Sequence, residues 1–284
     1  YQTIITIHSL LRFSGNYINK LFVIFEKKQA FNDNMQPLLD YLESLDIEVE
    51  LFYSKLQIGI SNLDRKPFFK PFFRFIPFFR HSLRYQYGLE KSKTDWVFVS
   101  HNDMIYRKDI LQAYLSEIDE NMGIGFVGQC WNCPAVGDCS GEKYFEYRPS
   151  KEEIFHLYEG KENLRGFEII RGNYSGWPLP ECRINEHAAL FDRKMMQSQT
   201  YPIGNIEPIG YNSYDIGMNF FAKVSRKGFK FKQLGFHLFA EHAYFNKNRN
   251  GHSSFTNEQL YWQEEGLAKE IVEKSIDEFI DSMD

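Results

Sequence analysis

His101, Asn102 and Asp103 put an imidazole, an amide and a carboxylate in direct succession. Trp96-Val97-Phe98-Val99 ahead of them reads as a buried strand, and Tyr106 to Leu115 behind them carries apolar residues at helical spacing. Open α/β sheets receive ligands at the carboxyl ends of their strands, so this triplet is the expected centre of an active site. A second group is cysteine. Cys130 and Cys133 are separated by two residues, a spacing that lets two thiolates reach one tetrahedral ion, and Cys139 and Cys182 bring the set to four. Two readings stand: a structural Zn²⁺ on Cys130, Cys133, Cys139 and Cys182, or plain buried thiols. Redox chemistry fits less well, because nothing thioredoxin-like surrounds the pair. A third group is Asp215, which opens a helix-like run from Ile216 to Arg226 and suits an N-cap or a first-turn acid.

The elements that must position these groups follow from periodicity. Thr3 to Phe13 fits a helix or a strand equally well; Leu21 to Phe25 is a strand, Met35 to Leu45 a helix and Ile47 to Tyr53 a strand. Strand, helix, strand in this order implies a parallel pair. His81 to Lys93 reads as helix, Gly123 to Gly128 as strand, and residues 141 to 175, polar and rich in tyrosine, as an insertion or lid. Asn185 to Phe191 turns from polar to apolar where a helix or strand begins, and Phe229 to Lys232 reads as strand. From Glu258 onward, Trp262, Leu267, Ile271 and Ile276 predict amphipathic helices packed on the body or on a partner.

Composition narrows the function. The net charge of −5 argues against a nucleic-acid binder that depends on overall positive charge. No apolar run reaches the roughly 18 residues of a membrane span, and the amino terminus lacks the plan of a signal peptide. Four cysteines in 284 residues fit a reducing, cytosolic setting. Aromatic residues make up 17% of the chain, suited to ring-lined clefts for sugars, bases or lipid as well as to a core. Residues 67 to 80 repeat a Pro-Phe-Phe-basic unit, with Pro67, Pro71 and Pro77 set against a long helix. Paired rings beside Lys70, Arg74 and Arg80 match an interfacial membrane contact, and equally a loop that tucks its rings into the core.

Taken together, the pieces resemble an inverting glycosyltransferase of the large family-2 type, with the GT-A fold. The resemblance runs to about Ser254, through degenerate motifs. It implies a Rossmann-like α/β fold with a mostly parallel central sheet flanked by helices. The domain would span residues 1 to 257, with a donor-binding half to about 140 and an acceptor half beyond it, ahead of a helical tail at 258 to 284. In that family a strand ends in an Asp-x-Asp-like motif whose last acid binds a divalent metal on the nucleotide-sugar diphosphate. Val99-Ser100-His101-Asn102-Asp103 matches it, with Asp103 as the acid and His101 in place of the first. His101, the softer ligand, would bind the metal or contact the sugar or ribose. The resemblance makes Asp215 in Tyr214-Asp215-Ile216 the general base, with Tyr214 where the family has Glu. It makes His242 a second metal ligand, ahead of His237, and lets His252 close over the phosphates; the alternative for His242 is a hydrogen-bonded structural role. Glu26 and Arg84 would contact the nucleotide and the diphosphate, and Asn102 would join Asp103 in donor binding.

The implied cofactors are Mn²⁺ or Mg²⁺ and a nucleotide-diphosphate sugar; the implied acceptor is a glycan, free or lipid-linked, at the cytoplasmic face of a membrane. The family's usual first strand has no counterpart here, so the resemblance implies residues ahead of Tyr1 or an incomplete site. Two rival readings are a catalytically silent nucleotide- or sugar-binding protein and a nucleotidyltransferase. The latter lacks its Gly-rich basic loop.

Overall fold

A computed structural model describes residues 1–25, 35–56, 70–128, 133–137, 139, 143–163, 167, 170–171, 177–179, 181–211, 216–245 and 257–283 of the chain. In order, the elements are α1 (Gln2–Ser14), β1 (Lys20–Phe25), α2 (Gln36–Glu43), β2 (Glu48–Tyr53), α3 (Lys70–Phe75), α4 (Pro77–Arg80), α5 (Gln86–Lys91), β3 (Trp96–Ser100) and β4 (Met104–Tyr106). There follow α6 (Ile110–Glu117), β5 (Gly123–Val127), α7 (Lys151–Leu157), β6 (Ile184–Asp192), α8 (Arg193–Gln199), α9 (Met218–Arg226), β7 (Phe231–Gln233), β8 (Ala240–His242), α10 (Glu258–Lys274) and α11 (Ile276–Asp281).

The molecule is a mixed α/β protein containing parallel strand pairs. As the strand-helix-strand pattern predicts, β1 and β2 pair in parallel. They form a sheet of their own, held to the body through α5, where the Tyr87 ring stacks on Phe52 at 3.9 Å. The larger sheet has the order β3-β6-β5-β7. β6 is antiparallel to both β3 and β5, and β5 is parallel to β7, so three strands share one direction and β6 opposes them. A third sheet pairs β4 antiparallel to β8. The single central sheet of the sequence reading is thus three sheets among the described residues.

Burial explains the local choices. In β6, Ala189 and Phe191 enter the larger core cluster, whereas Ala188 and Leu190 enter a second one with Met104, Tyr106 and Ile124. Both faces of this strand are therefore covered, which is why its apolar half reads as a continuous run. Gly123 lets β5 approach β6 closely, since a Cβ there would lie 2.7 Å from the Phe191 ring. Where it is described, the stretch read as an insertion or lid contributes to the core: Tyr144, Ile154, Tyr158 and Ile170 are all buried in the larger cluster.

The ambiguous first segment is helix α1. Ile4 and Ile5 pack with Ile105, Ala268, Ile276 and Ile280, so the tail helices cover α1 and the body rather than standing apart. Arg12 fastens them through Asp277 at 2.9 Å and Asp281 at 2.7 Å. The polar residues of α1 complete β4. Thr6 Oγ1 donates to Met104 O at 2.7 Å and accepts from Met104 N at 3.1 Å, while Ser9 Oγ accepts from Tyr106 N at 3.1 Å. Hydroxyls here take the place of a neighbouring strand and fix the segment that follows Asp103.

The phenylalanine-rich stretch is broken as its prolines require. Ile76 is extended, and Pro77 occupies the first turn of α4. Its rings divide between the core and the surface. Phe73 is buried with Leu83, Tyr201 and Tyr211, whereas Phe75 is 71% and Phe78 47% exposed. Pro67, Phe68 and Phe69 lie outside the described residues.

Candidate functional site

The register of two strand pairs brings the site together. Ser100 at the end of β3 faces Ala188 of β6, and His101 N donates to His187 O at 3.0 Å. Met104 at the start of β4 faces His242 of β8, and Ala243 N donates to Asp103 O at 2.9 Å. His101 to Asp103 therefore turn between two strands, not between a strand and a helix as the spacing suggested. The helix begins only at Ile110, capped by Asp109, whose side chain accepts from Gln112 N. Tyr106 fits the helical spacing by coincidence, being buried from β4.

Three imidazoles meet at this point. Ligand nitrogens of His101, His187 and His242 all lie within 4.8 Å of one another; among the described residues no other group of three or more His, Cys, Asp or Glu converges so closely. The His187 and His242 rings stack at 4.0 Å, and the His101 ring meets His187 edge-on at 4.6 Å. Two carboxylates join them. Asp103 Oδ2 lies 3.2 Å from His242 Nε2, and Asp103 Oδ1 lies 3.8 Å from His101 Nδ1. Glu186 Oε1 lies 3.9 Å from His101 Nε2, and Glu186 Oε2 accepts from buried Arg183 at 3.0 Å.

The charge states follow from these contacts. Burial opposes ionisation of Asp103, but the His242 hydrogen bond and the nearby imidazoles outweigh it and draw the carboxyl down to about 2. Glu186 is also lowered: burial is outweighed by His101 and Arg183. For His187, burial comes first and the other two imidazoles act in the same sense, so its pKa falls to about 3 and the ring is neutral at pH 7. Arg183 accompanies Glu186, leaving the Asp103 carboxylate among the imidazoles. Among the described residues, His101 Nε2 and Asp103 Oδ1 are buried with no hydrogen-bond partner. Such orphaned groups cost ~1–3 kcal/mol each unless something else satisfies them, and a divalent cation suits this set of nitrogens and carboxylate oxygen.

Of the residues singled out from the sequence, Asp103, His101 and His242 meet here. Asn102 lies exposed on the turn. Arg84 is exposed, with its backbone bridged to Gly210. His237 packs against the Phe126 ring at 5.2 Å, which leaves His242 as the histidine of the cluster. Asp215, Glu26 and His252 lie outside the described residues, and α9 is capped by Gly217. Cys130 is outside them too; Cys133, Cys139 and Cys182 are buried and line a cavity of ≈ 10 Å³ with Tyr144 and Glu181. Sequence reasoning missed Arg183, Glu186 and His187. The available signal was a run of polar residues, Arg183 and Asn185-Glu186-His187, opening an otherwise apolar strand. No known protein-family model matches the chain, and no curated protein matches it.

Proposed function

We propose that this protein is an inverting glycosyltransferase that moves a sugar from a nucleoside-diphosphate donor to a glycan or lipid-linked glycan acceptor. One observation carries the reading: Asp103 and His242, far apart in the chain and both assigned to a diphosphate-bound metal by the family resemblance, lie 3.2 Å apart. The GT-A fold belongs to the same proposal, supported by the mixed sheet with β3 ending at this site. Asp103 and His242, with His101 beside them, would hold Mn²⁺ or Mg²⁺, which when bound neutralises the charge of the departing diphosphate.

Asp103 is suited to this role because it stays ionised at neutral pH although buried. Asp215 takes the proton from the acceptor hydroxyl, whose oxygen attacks the sugar opposite the diphosphate and inverts the anomeric centre. Glu26 and Arg84 contact the donor. Incubating the chain with a panel of nucleoside-diphosphate sugars and glycan acceptors, with and without Mn²⁺, tests this through nucleotide release. Turnover that falls at least ~100-fold in both Asp103→Asn and Asp215→Asn is expected; turnover indifferent to both substitutions overturns the reading.

The acceptor would be met at a membrane surface, on the cytoplasmic side. Support comes from exposed Phe75, Ile76 and Phe78 at the joint of α3 and α4, and from residues 65 to 89, which hold six Lys and Arg and no acid. No described helix is long and apolar enough to cross a membrane. Flotation with anionic vesicles is expected to carry the protein, and Phe75→Ser with Phe78→Ser to abolish it; unchanged flotation of that variant removes the membrane from the proposal.

A further inference from the structure

We infer that the metal centre is nitrogen-rich: His187 is a third imidazole ligand beside His101 and His242, and the site takes a transition-metal ion of the Mn²⁺ to Zn²⁺ series in preference to Mg²⁺. The inference rests on the reading of Asp103 and His242 as metal ligands, and departs from it in the ligand set and the metal.

Three observations support it. The ligand nitrogens of the three histidines lie within 4.8 Å of one another, although His101 follows β3, His187 lies within β6 and His242 ends β8. Their approach is built into the backbone, because His101 N donates to His187 O and His242 lies in the β4–β8 register. Among the described residues the converging groups are not fully used, since His101 Nε2 and Asp103 Oδ1 are buried with no hydrogen-bond partner there. The local charge is also incomplete. Arg183 is paired with Glu186, so the cluster offers one further carboxylate, Asp103, that a cation would balance.

Donor chemistry then selects the ion. Mg²⁺ prefers six oxygen ligands and gives up water reluctantly. Imidazole nitrogen suits Zn²⁺ and its neighbours, with affinity rising from Mn²⁺ through Co²⁺. Three imidazoles and one carboxylate therefore favour Mn²⁺, Co²⁺ and Zn²⁺ over Mg²⁺.

The test uses the full chain, stripped of metal and titrated with Mg²⁺, Mn²⁺, Co²⁺ or Zn²⁺ alone, by calorimetry and, for Co²⁺, by proton NMR of hyperfine-shifted imidazole N–H groups. The expected result is one Co²⁺ or Zn²⁺ per chain, bound at least about tenfold more tightly than Mg²⁺, with three shifted N–H resonances. His187→Gln is expected to remove one resonance and weaken Co²⁺ binding at least about tenfold. Circular dichroism checks that variant's fold; should it fail to fold, the resonance count in the unaltered chain decides.

Mg²⁺ binding as tight as Co²⁺, two resonances, or no metal bound would each overturn the inference. Three resonances without sugar transfer would sink the transferase reading and leave the metal centre standing. Transfer supported by Mg²⁺ with no shifted imidazole would do the reverse.

Discussion

Among the described residues, a half-buried group of histidines and a buried group of cysteines offer metal-ligand atoms, and they differ in what surrounds them. His101, His187 and His242 converge from three separate strands or their ends beside ionised Asp103 and Glu186. Cys133, Cys139 and Cys182 border a cavity with room for about one water, and burial pushes the Cys182 thiol well above its ordinary value. Thiols must ionise to bind a metal, whereas an imidazole must only be neutral. Burial thus acts in opposite senses on the two groups: it keeps His187 in its ligating form and Cys182 in its non-ligating form.

Substitution is the most direct way to break this contrast. Asp103→Asn is expected to weaken Co²⁺ binding at least ~100-fold by calorimetry, and Cys182→Ala to leave it unchanged. Equal losses from the two variants would erase the distinction.

The pH dependence of stability sharpens the contrast, because the two groups act at opposite ends. In metal-free protein the folded pKa of His187 lies below its ordinary 6.5, at about 3. Its contribution is fully present above 6.5 and is lost as pH falls toward 3, with a slope of about 1.4 kcal/mol per pH unit. Asp103, lowered to about 2 from 3.8, adds a loss below about 4. Cys182, raised, contributes below its unfolded value of 9.0 and loses that contribution as pH rises beyond it. Urea melts across pH are expected to show both limbs; His187→Gln should flatten the acid one and Cys182→Ala the alkaline one.

Thiol chemistry separates the groups more gently. With alkylation mapped by peptide, Cys133, Cys139 and Cys182, each at most 8% exposed, should label only as the protein unfolds. Labelling in the folded chain at the rate of a free thiol would refute the packed cavity. Cys182→Ala itself should cost about 1–2 kcal/mol in a denaturant melt, the price of a small void at a buried site.

Much of the fold was legible because local pattern and burial agreed. β1, α2 and β2 were read within a few residues, as was the parallel pairing of the strands. Legibility failed where burial covered both faces of an element. Thr3 to Phe13 buries side chains toward β4 and toward the tail helices alike, so periodicity alone could not tell helix from strand. The short strand β4 went unread and its last residue, Tyr106, fell within the expected helix, because three residues carry too little pattern to stand out.

The site divides along the same line. Asp103, His101 and His242 carry a chemistry visible in residue type, and the place of the triplet at a strand end is a consequence of the apolar run before it. The Cys-x-x-Cys spacing was the sharper motif, yet the closest convergence among the described residues is of histidines that no short motif connects. Local periodicity, turns and chain order are encoded within a few residues, and these the sequence by itself determined. That His187 meets His101 and His242, that Glu186 is held by Arg183, and that Asp103 remains ionised in a buried setting were decided only by tertiary structure. Each depends on register between distant strands and on the burial that follows, and neither quantity exists until the chain has folded.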